Sequence, residues 1–367
     1  MPPWITDWTL LWTLLIPPLA LVSLLLTWTN HDVSWPIQAA IAILLAGSVL
    51  AAVEHAEVVA HKVGEPFGSL LLAVAVTIIE VGMIIMLMVS KPTGTETLAR
   101  DTVFAATMIT TNLIIGLALF LAAGRRSHAY FNREGSGTAF SAVAVLATAT
   151  MVLPAVTTSS PAGTLTRNQL FFIGAISLIT WAFFVLTQTR HHRDFFLPVT
   201  TSGKAITADD HASSPSTRHT VVSTIWLIIA LVSVVGLSKV LSPTIETTVA
   251  AAGLPDAVVG LVIAMLVLLP ETIAATKNAL AGRTQIALNL GYGSALASIG
   301  LTIPIVGIIA TAQELPFVLG LTPLHLSLLA LTGVVTAFTL SHGRAVRLQG
   351  GLHLIIAAAF IFLVAFP

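Results

Sequence analysis

Residues 64–89 read GEPFGSLLLAVAVTIIEVGMIIMLMV, and this stretch determines the kind of fold that the chain can adopt. Its Gly-Glu-Pro start is typical of a helix N-terminus, because proline at the first helical position loses no hydrogen bond. The apolar residues that follow are enough to cross a bilayer core of ~30 Å at ~1.5 Å per residue. Glu80 lies among them. A carboxylate at that depth costs at least ~2.5–3.5 kcal/mol, which indicates a partner or a functional role.

A second stretch repeats this arrangement. Asp256 precedes the run AVVGLVIAMLVLLPETIAAT, and Glu271 within that run lies fifteen residues after Asp256. Glu80 lies fifteen residues after Glu65. Two helices that each carry one buried glutamate at the same distance from an acidic start predict the two halves of a cation site.

The composition predicts an all-α polytopic membrane protein. Of 367 residues, 56% are hydrophobic and only 9% are charged, whereas soluble domains carry about 25% charged residues. The net charge of zero gives no indication of a nucleic-acid partner. The absence of cysteine excludes disulfides and thiolate metal sites.

The apolar stretches predict eleven transmembrane helices, and the basic residues between them predict their orientation. Twelve of the sixteen Lys and Arg residues fall in alternate loops, which are therefore expected to be cytoplasmic. This orientation places the N-terminus inside and the C-terminus outside the cytoplasmic membrane. The predicted spans are 8–28, 36–53, 66–89, 102–123, 137–155, 168–188, 220–240, 252–273, 284–311, 323–341 and 350–366.

Eleven spans divide into one additional N-terminal helix and two groups of five. An odd number of spans in a group makes the second group insert upside down, and inverted repeats of this kind are common in secondary transporters. The predicted divisions are the additional helix at 1–30, the first repeat at 36–189, a linker at 190–218 and the second repeat at 219–367. The helices expected to form the cation site are 66–89 and 102–123 in the first repeat, and 252–273 and 284–311 in the second.

The linker at 190–218 is rich in Ser, Thr and His and has no apolar periodicity. It is expected to be a flexible cytoplasmic tether. An alternative interpretation makes Asp209, Asp210 and His211 a weak regulatory cation sensor.

Neutral oxygens accompany the two carboxylates. A hard cation such as Ca²⁺ takes roughly six to eight oxygen ligands, of which Glu80 and Glu271 would supply the charged ones. A single Thr or Ser in a helix is more often hydrogen-bonded to its own backbone than bound to a metal. The neutral candidates are Thr77, Asn112, Asn289 and Ser294.

Further residues are expected to shape the site. Pro270 and Pro304 are predicted kinks, because proline removes a backbone hydrogen bond. Gly291 and Gly293 are predicted to allow close helix approach. Acidic residues near span ends form either a solvated face or a vestibule that attracts cations; these are Glu54, Glu57, Asp101 and Asp256.

Three segments resemble the bacterial calcium/proton antiporters of the ChaA type, in the cation/proton exchanger branch of the calcium:cation antiporter superfamily. They are HKVGEPFGSLLLAVAVTIIE, RDTVFAATMI and LLPETIAATKNALAGRTQIALNLGYGSALASIGLTIP. The resemblance covers nearly the whole chain. It implies that each repeat is centred on one acid, matching Glu80 and Glu271, and that the family's Gly-Ser pair and proline match Gly293-Ser294 and Pro304.

The chain departs from the wider superfamily at amide positions. The superfamily motif Gly-Asn-x-x-Glu reads Val76-Thr77 and Val267-Leu268 before the two glutamates here, and a common Gln is Ala297. The resemblance implies a ligand shell with fewer amides, which suits acceptance of monovalent cations as well as Ca²⁺.

These observations predict an antiporter that exports Ca²⁺, with Na⁺ or K⁺ as further substrates, in exchange for protons. Its expected partners are the lipid bilayer, inorganic cations and protons; no cofactor and no enzymatic activity are expected. One alternative is a sodium/calcium exchanger of the same fold. A more distant one is an intramembrane hydrolase, although His55 and His61 are six residues apart and do not form the HExxH metal motif.

The topology predicts that the linker is cytoplasmic. Since the chain has no cysteine, a single cysteine placed at Ser214 should resist an impermeant thiol reagent added to intact cells. A cysteine at Ser160, in a predicted external loop, should react and serves as the control. Rapid labelling at position 214 from outside would contradict the inverted-repeat arrangement.

Overall fold

The computed structural model describes residues 8–28, 34–63, 67–90, 94–161, 163–199 and 215–367. Fifteen α-helices lie in these ranges: α1 (Trp8–Thr27), α2 (Trp35–Val63), α3 (Phe67–Ser90), α4 (Leu98–Met108), α5 (Ile115–Arg126), α6 (Arg133–Ala147), α7 (Leu153–Val156), α8 (Arg167–Leu186), α9 (Thr217–Ala251), α10 (Ala257–Val267), α11 (Leu269–Leu280), α12 (Thr284–Ala297), α13 (Ile303–Ala312), α14 (Pro323–Leu340) and α15 (Arg347–Ala365). Two short strands, β1 (Ala129–Tyr130) and β2 (Arg344–Ala345), pair antiparallel.

The prediction of a polytopic helical membrane protein is confirmed. Within the described ranges, eight helices or continuous helical stretches are long and apolar enough to span a membrane, and α10 and α11 form a ninth, bent span. Two shorter apolar stretches, Leu11–Thr27 and Val74–Val89, belong to α1 and α3. Together these account for the eleven predicted spans.

The second helix is longer than its predicted span, which ended at residue 53. α2 continues to Val63 because its apolar periodicity continues, with Ala56 and Val59 buried on one face. Glu54 and Glu57 lie within this extension and are exposed. The two glutamates are therefore helical, and their charges did not end the helix.

The helices form two compact units, which are described separately. The first unit comprises α1, α2, α3 and α9, and the second comprises the remaining helices and both strands. Neither unit is one continuous stretch of sequence, because the first unit also contains α9, which lies in the middle of the chain.

Two adjacent prolines in α1 determine how the first unit is hydrogen-bonded. Pro17 and Pro18 lie inside the helix and have no N–H to donate to the carbonyls of Thr13 and Leu14 one turn earlier. Both carbonyls instead accept bonds from other helices. His55 Nε2 lies 3.1 Å from Thr13 O, and Trp226 Nε1 donates to Leu14 O at 2.7 Å. The prolines thus link α1 to α2 and to α9.

Two long helical stretches in the second unit share one irregularity. Leu98–Arg126 and Thr284–Ala312 are each 29 residues long and are largely buried. A π-helical segment interrupts each, at Ile109–Ile114 between α4 and α5 and at Ser298–Thr302 between α12 and α13. Such segments frequently lie at functional sites, but two others, Thr148–Val152 and Thr187–His191, follow α6 and α8, so the irregularity alone does not identify the site.

The start of the predicted linker is packed against the second unit. Arg193–Phe196 forms a 3₁₀ turn, and Phe196 and Val199 are buried. The apolar side chains of this segment account for its burial. Residues 200–214, including the proposed sensor around Asp209, lie outside the described residues.

Glycines bring α5 and α15 into backbone contact. A Cβ at Gly350 would lie 2.8 Å from Phe120 Cα and 2.9 Å from Gly116 O, and a Cβ at Gly116 would lie 2.8 Å from His353 Cβ. Close approach through small residues is a common way for membrane helices to associate. Here it brings His353 against α5.

Gly350→Ala should destabilise the protein by on the order of 1–3 kcal/mol, because the new methyl group overlaps backbone atoms that cannot move aside. Gly351→Ala is the matched control, since its Cβ would meet only the Phe120 ring at 3.8 Å. Thermal unfolding of purified protein in detergent measures both. Equal melting temperatures for the two variants would contradict this contact.

Candidate functional site

Glu271 lies directly after a helix break. α10 and α11 meet at a 51° bend, and Leu268 between them has non-helical backbone angles. Pro270 and Glu271 occupy the first turn of α11. A carboxylate in the first turn of a helix is stabilised by the partial positive charge of the N-terminus, typically by ~0.3–1 kcal/mol.

Glu80 has a different local environment. It lies inside α3, which is continuous from Phe67 to Ser90, and it is 4% exposed, as is Thr77 three residues earlier. Both belong to the first unit. The sequence predicted matched positions for the two glutamates, whereas one lies within an uninterrupted helix and the other at a helix start.

The hairpin of α11 and α12 places Glu271 level with the Gly293-Ser294 pair. Gly282, with φ of +78°, makes the turn between the two helices. Glu271 lies nine residues before the end of α11, and Gly293 lies nine residues after the start of α12. Since both helices rise ~1.5 Å per residue, the two positions are at about the same height above the turn.

Gly293 borders open space, and Ser294 follows it in the sequence. Ser294 makes no side-chain hydrogen bond within the part of the chain that the structure describes. No described atom lies within 4 Å of the position that a Gly293 Cβ would occupy. The expectation that Gly293 allows close helix packing is therefore wrong for the described residues, since none of them approaches it within packing distance.

Gly291 does provide the predicted close approach. A Cβ there would lie 2.8 Å from Ile115 Cγ1 and 3.4 Å from the backbone oxygen of Thr110. The first π-helical segment thus packs on α12 one turn before Ser294. Glu271, Ser294 and the segment Ile109–Ile114 therefore belong to neighbouring helices of the second unit.

Threonine hydroxyls around this segment are bonded to their own helix. Thr107 donates to Val103 O at 2.8 Å, and Thr111 donates to Thr107 O at 2.6 Å. Thr110 donates to Ala106 O at 2.8 Å. This is the local bonding that is usual for Thr in helices.

Asn112 is fully buried and forms a polar network with α14 and α15. Its Nδ2 donates to Thr332 Oγ1 at 3.0 Å. Its Oδ1 lies 3.1 Å from His353 Nδ1, and His353 Nε2 lies 3.3 Å from Thr339 Oγ1. The predicted ligand Asn112 is thus part of a hydrogen-bonded chain.

Asn289 has structural partners. Its Nδ2 donates to Phe196 O at 2.7 Å, and its Oδ1 accepts from Gln285 Nε2 at 2.8 Å. The carbonyl oxygen of this amide thus binds a side chain of α12 itself, and its NH₂ group binds the 3₁₀ turn. It lies five residues before Ser294, on a different part of the helix.

The four acidic residues proposed for a vestibule lie in different surroundings. Glu54 and Glu57 are exposed on α2, and Asp256 is exposed before α10. Asp101 is only 7% exposed and pairs with Arg100 at 2.8 Å. Arg100 also donates to Gly320 O at 3.0 Å, so this pair connects α4 to the segment before α14.

His353 was not predicted as a functional residue. It lies in α15 beside the apolar run that ends the helix, and a histidine inside a predicted span was the signal that could have identified it. Within the described residues, no three His, Asp or Glu side chains come together as a metal site.

Comparisons with known proteins agree with this architecture. Residues 33–190 and 222–366 match the family described as sodium/calcium exchanger protein. The y4hA protein of Sinorhizobium fredii, a candidate ionic transporter, is 44% identical over 328 residues, 88% of this chain and 87% of its own length. The sodium-potassium/proton antiporter ChaA of Escherichia coli is 34% identical over 355 residues, 95% of this chain and 94% of its own. The solved structure of YfkE has a TM-score of 0.70 at 17% identity, covering 97% of this chain and all of YfkE, which is a likeness of fold.

Asn289→Ala and Ser294→Ala should affect different properties, the first stability and the second the KM for cations. The first removes two hydrogen bonds of ~0.5–1.5 kcal/mol each, so it should lower the melting temperature and leave the KM for cations unchanged. The second removes an unbonded hydroxyl, so it should leave stability unchanged and raise the KM. Thermal unfolding and cation-dependent transport in liposomes measure the two effects. If Asn289→Ala raises the KM while its melting temperature stays normal, Asn289 acts as a cation ligand after all.

Proposed function

Because the chain belongs to the sodium/calcium exchanger protein family, we propose that it is a cation/proton antiporter that exports Ca²⁺, and also Na⁺ or K⁺, in exchange for protons. The observation that carries the proposal is the pair of glutamates, Glu80 and Glu271, in two apolar helices of a multi-pass membrane protein. The 34% identity to a sodium-potassium/proton antiporter over nearly the whole of both chains supports protons as the counter-ion.

The proposed coupling is competition for the same oxygens. A low-dielectric environment favours the neutral, protonated form of an empty carboxyl group, whereas a bound cation favours the charged form and expels the proton. Proton and cation then exclude each other at Glu80 and Glu271. Alternating access would carry whichever is bound across the membrane.

The neutral part of the proposed shell includes Thr77, Ser294 and Asn112. Ser294 is supported by its unbonded hydroxyl and by the open space beside Gly293. Asn112 is supported by a carbonyl oxygen that has two lone pairs, of which its hydrogen bond with His353 uses one. Asn289 has the least support, because both groups of its amide are hydrogen-bonded.

Substrate selectivity follows from the ligand types. Val267-Leu268 precedes Glu271 where an amide would add an oxygen, so fewer neutral ligands surround this carboxylate. We propose that the site accepts monovalent cations beside Ca²⁺ for this reason. A sodium/calcium exchanger, in which Na⁺ replaces the proton, is the second candidate, and the family description favours testing it.

The proposed location is the cytoplasmic membrane, with the N-terminus inside and the C-terminus outside. The bias of Lys and Arg toward alternate loops supports this orientation.

Glu80→Gln and Glu271→Gln test the mechanism. Each substitution keeps the size of the side chain and removes the ionisable group, so each should abolish proton movement and Ca²⁺ movement together. Asp at either position should retain partial activity with a raised KM, because it keeps the charge but withdraws it. Reconstituted liposomes with a pH-sensitive dye inside and a Ca²⁺ indicator outside measure both ions.

Glu134→Gln is the matched control, because Glu134 is an exposed carboxylate in the first turn of α6. It should transport at the wild-type rate.

In the wild type, raising the pH should lower the apparent KM for Ca²⁺, since fewer protons compete. Near wild-type Ca²⁺/H⁺ exchange by Glu271→Gln would refute the two-carboxylate mechanism, and exchange that requires Na⁺ instead of a proton gradient would favour the second candidate.

A further inference from the structure

His353 is a fully buried histidine in the membrane-spanning helix α15, and the proposed transport cycle does not use it. Both of its ring nitrogens are within hydrogen-bonding distance of other side chains, Asn112 on one side and Thr339 on the other. A buried polar group that is fully bonded stabilises one arrangement of its neighbours, since every alternative leaves a donor or acceptor unsatisfied. The orientation of these bonds therefore defines the orientation of the groups they join.

The donors and acceptors of this network run in one direction. The carbonyl oxygen of Asn112 can only accept, so His353 Nδ1–H donates to it. In a neutral imidazole the other nitrogen then accepts, and Thr339 Oγ1 donates to His353 Nε2. The Asn112 amide donates onward to Thr332 Oγ1, whose hydroxyl points to Met108 Sδ at 3.7 Å.

Thr111 decides which end of the Asn112 amide is oxygen. The Thr111 hydroxyl donates its hydrogen to Thr107 O, so its oxygen accepts from Asn112 Nδ2 at 3.2 Å, and a 180° rotation of the amide would place two acceptors against each other. The amide oxygen therefore faces His353, whose Nδ1–H holds it in place. A cation accepts lone pairs from this oxygen only, because the NH₂ group has none to offer.

The position of His353 is set by the backbone contact of α5 and α15. A Cβ at Gly116, one turn after Asn112, would lie 2.8 Å from His353 Cβ. Gly350, one turn before His353, contacts the backbone of Phe120 and Gly116. The Cβ of His353 is therefore held close to the backbone of α5.

We propose that His353 is a positioning residue for the cation site, which orients the carboxamide of Asn112 so that its oxygen is available to the transported cation. This inference rests on the proposed function, in which Asn112 supplies a neutral oxygen. His353 itself does not touch the cation, and its effect is transmitted through Asn112.

Two substitutions at the histidine separate positioning from packing. His353→Asn retains a donor at the place of Nδ1, whereas His353→Leu fills space without a donor. We expect His353→Leu to raise the KM for Ca²⁺ roughly three- to tenfold, the range for one hydrogen bond, with the maximal rate within about twofold of wild type. His353→Asn should restore the KM to within about twofold.

Two threonines of α14 provide a matched pair that does not disturb the histidine. Thr339→Val removes the hydroxyl that bonds His353 Nε2 and should raise the KM in the same direction as His353→Leu. Thr336→Val removes a buried hydroxyl on the same helix that has no hydrogen-bond partner among the described residues, and should leave the KM unchanged. This pair keeps the test valid if His353→Leu fails to fold, which thermal unfolding would reveal.

A double-mutant cycle tests whether His353 acts through Asn112. In an Asn112→Ala background, which lacks the amide, His353→Leu should produce no further rise in KM. The same fold-change in both backgrounds, or an unchanged KM in folded His353→Leu and Thr339→Val, would overturn the proposal. Glu271→Gln is measured in the same liposomes. If Glu271→Gln transports normally, the proposed function fails. If Glu271→Gln is inactive and the effects of His353→Leu and Asn112→Ala on the KM are additive, only the positioning role fails.

Discussion

The structure depends on one constraint, the lack of water to satisfy backbone polar groups within a bilayer. Every residue that interrupts a helical ladder must be compensated by another part of the protein. Pro17 and Pro18 leave the carbonyls of Thr13 and Leu14 unbonded within α1, and His55 and Trp226 supply the missing donors. The interruptions therefore show where helices must be joined to others, and the same reasoning explains why the irregular segments of the second unit are buried.

The two glutamates illustrate how the same residue type acquires different electrostatics. Glu271 follows a 51° bend and begins α11, so it lies in the field of the free N–H groups at that helix start. Glu80 lies in the continuous α3, where no helix terminus contributes such a field. Matched positions in the sequence pattern therefore do not give the two carboxylates matched surroundings.

Much of the architecture was predictable because hydropathy and length are properties of single segments. The spans, their number and the presence of one glutamate in each of two apolar spans follow from such local patterns. The π-helical segments did not, because Ile109–Ile114 and Ser298–Thr302 have ordinary helical sequences and their irregular bonding depends on packing with other helices. Asn289 and Asn112 were predicted as equivalent amides, yet their partners come from Phe196 and His353, 93 and 241 residues distant. Partners this far apart in the sequence cannot be predicted from the spacing of residues along the chain.

The proline pair in α1 also constrains biogenesis. The donor for Leu14 O is Trp226, which is synthesised 212 residues later. While the ribosome adds the intervening spans, that carbonyl must remain with water or with the insertion machinery, because burial in lipid without a donor would cost several kcal/mol. The hydrogen bonding of α1 is therefore complete only after α9 has been synthesised, so the first helix of the chain depends on a helix from its middle.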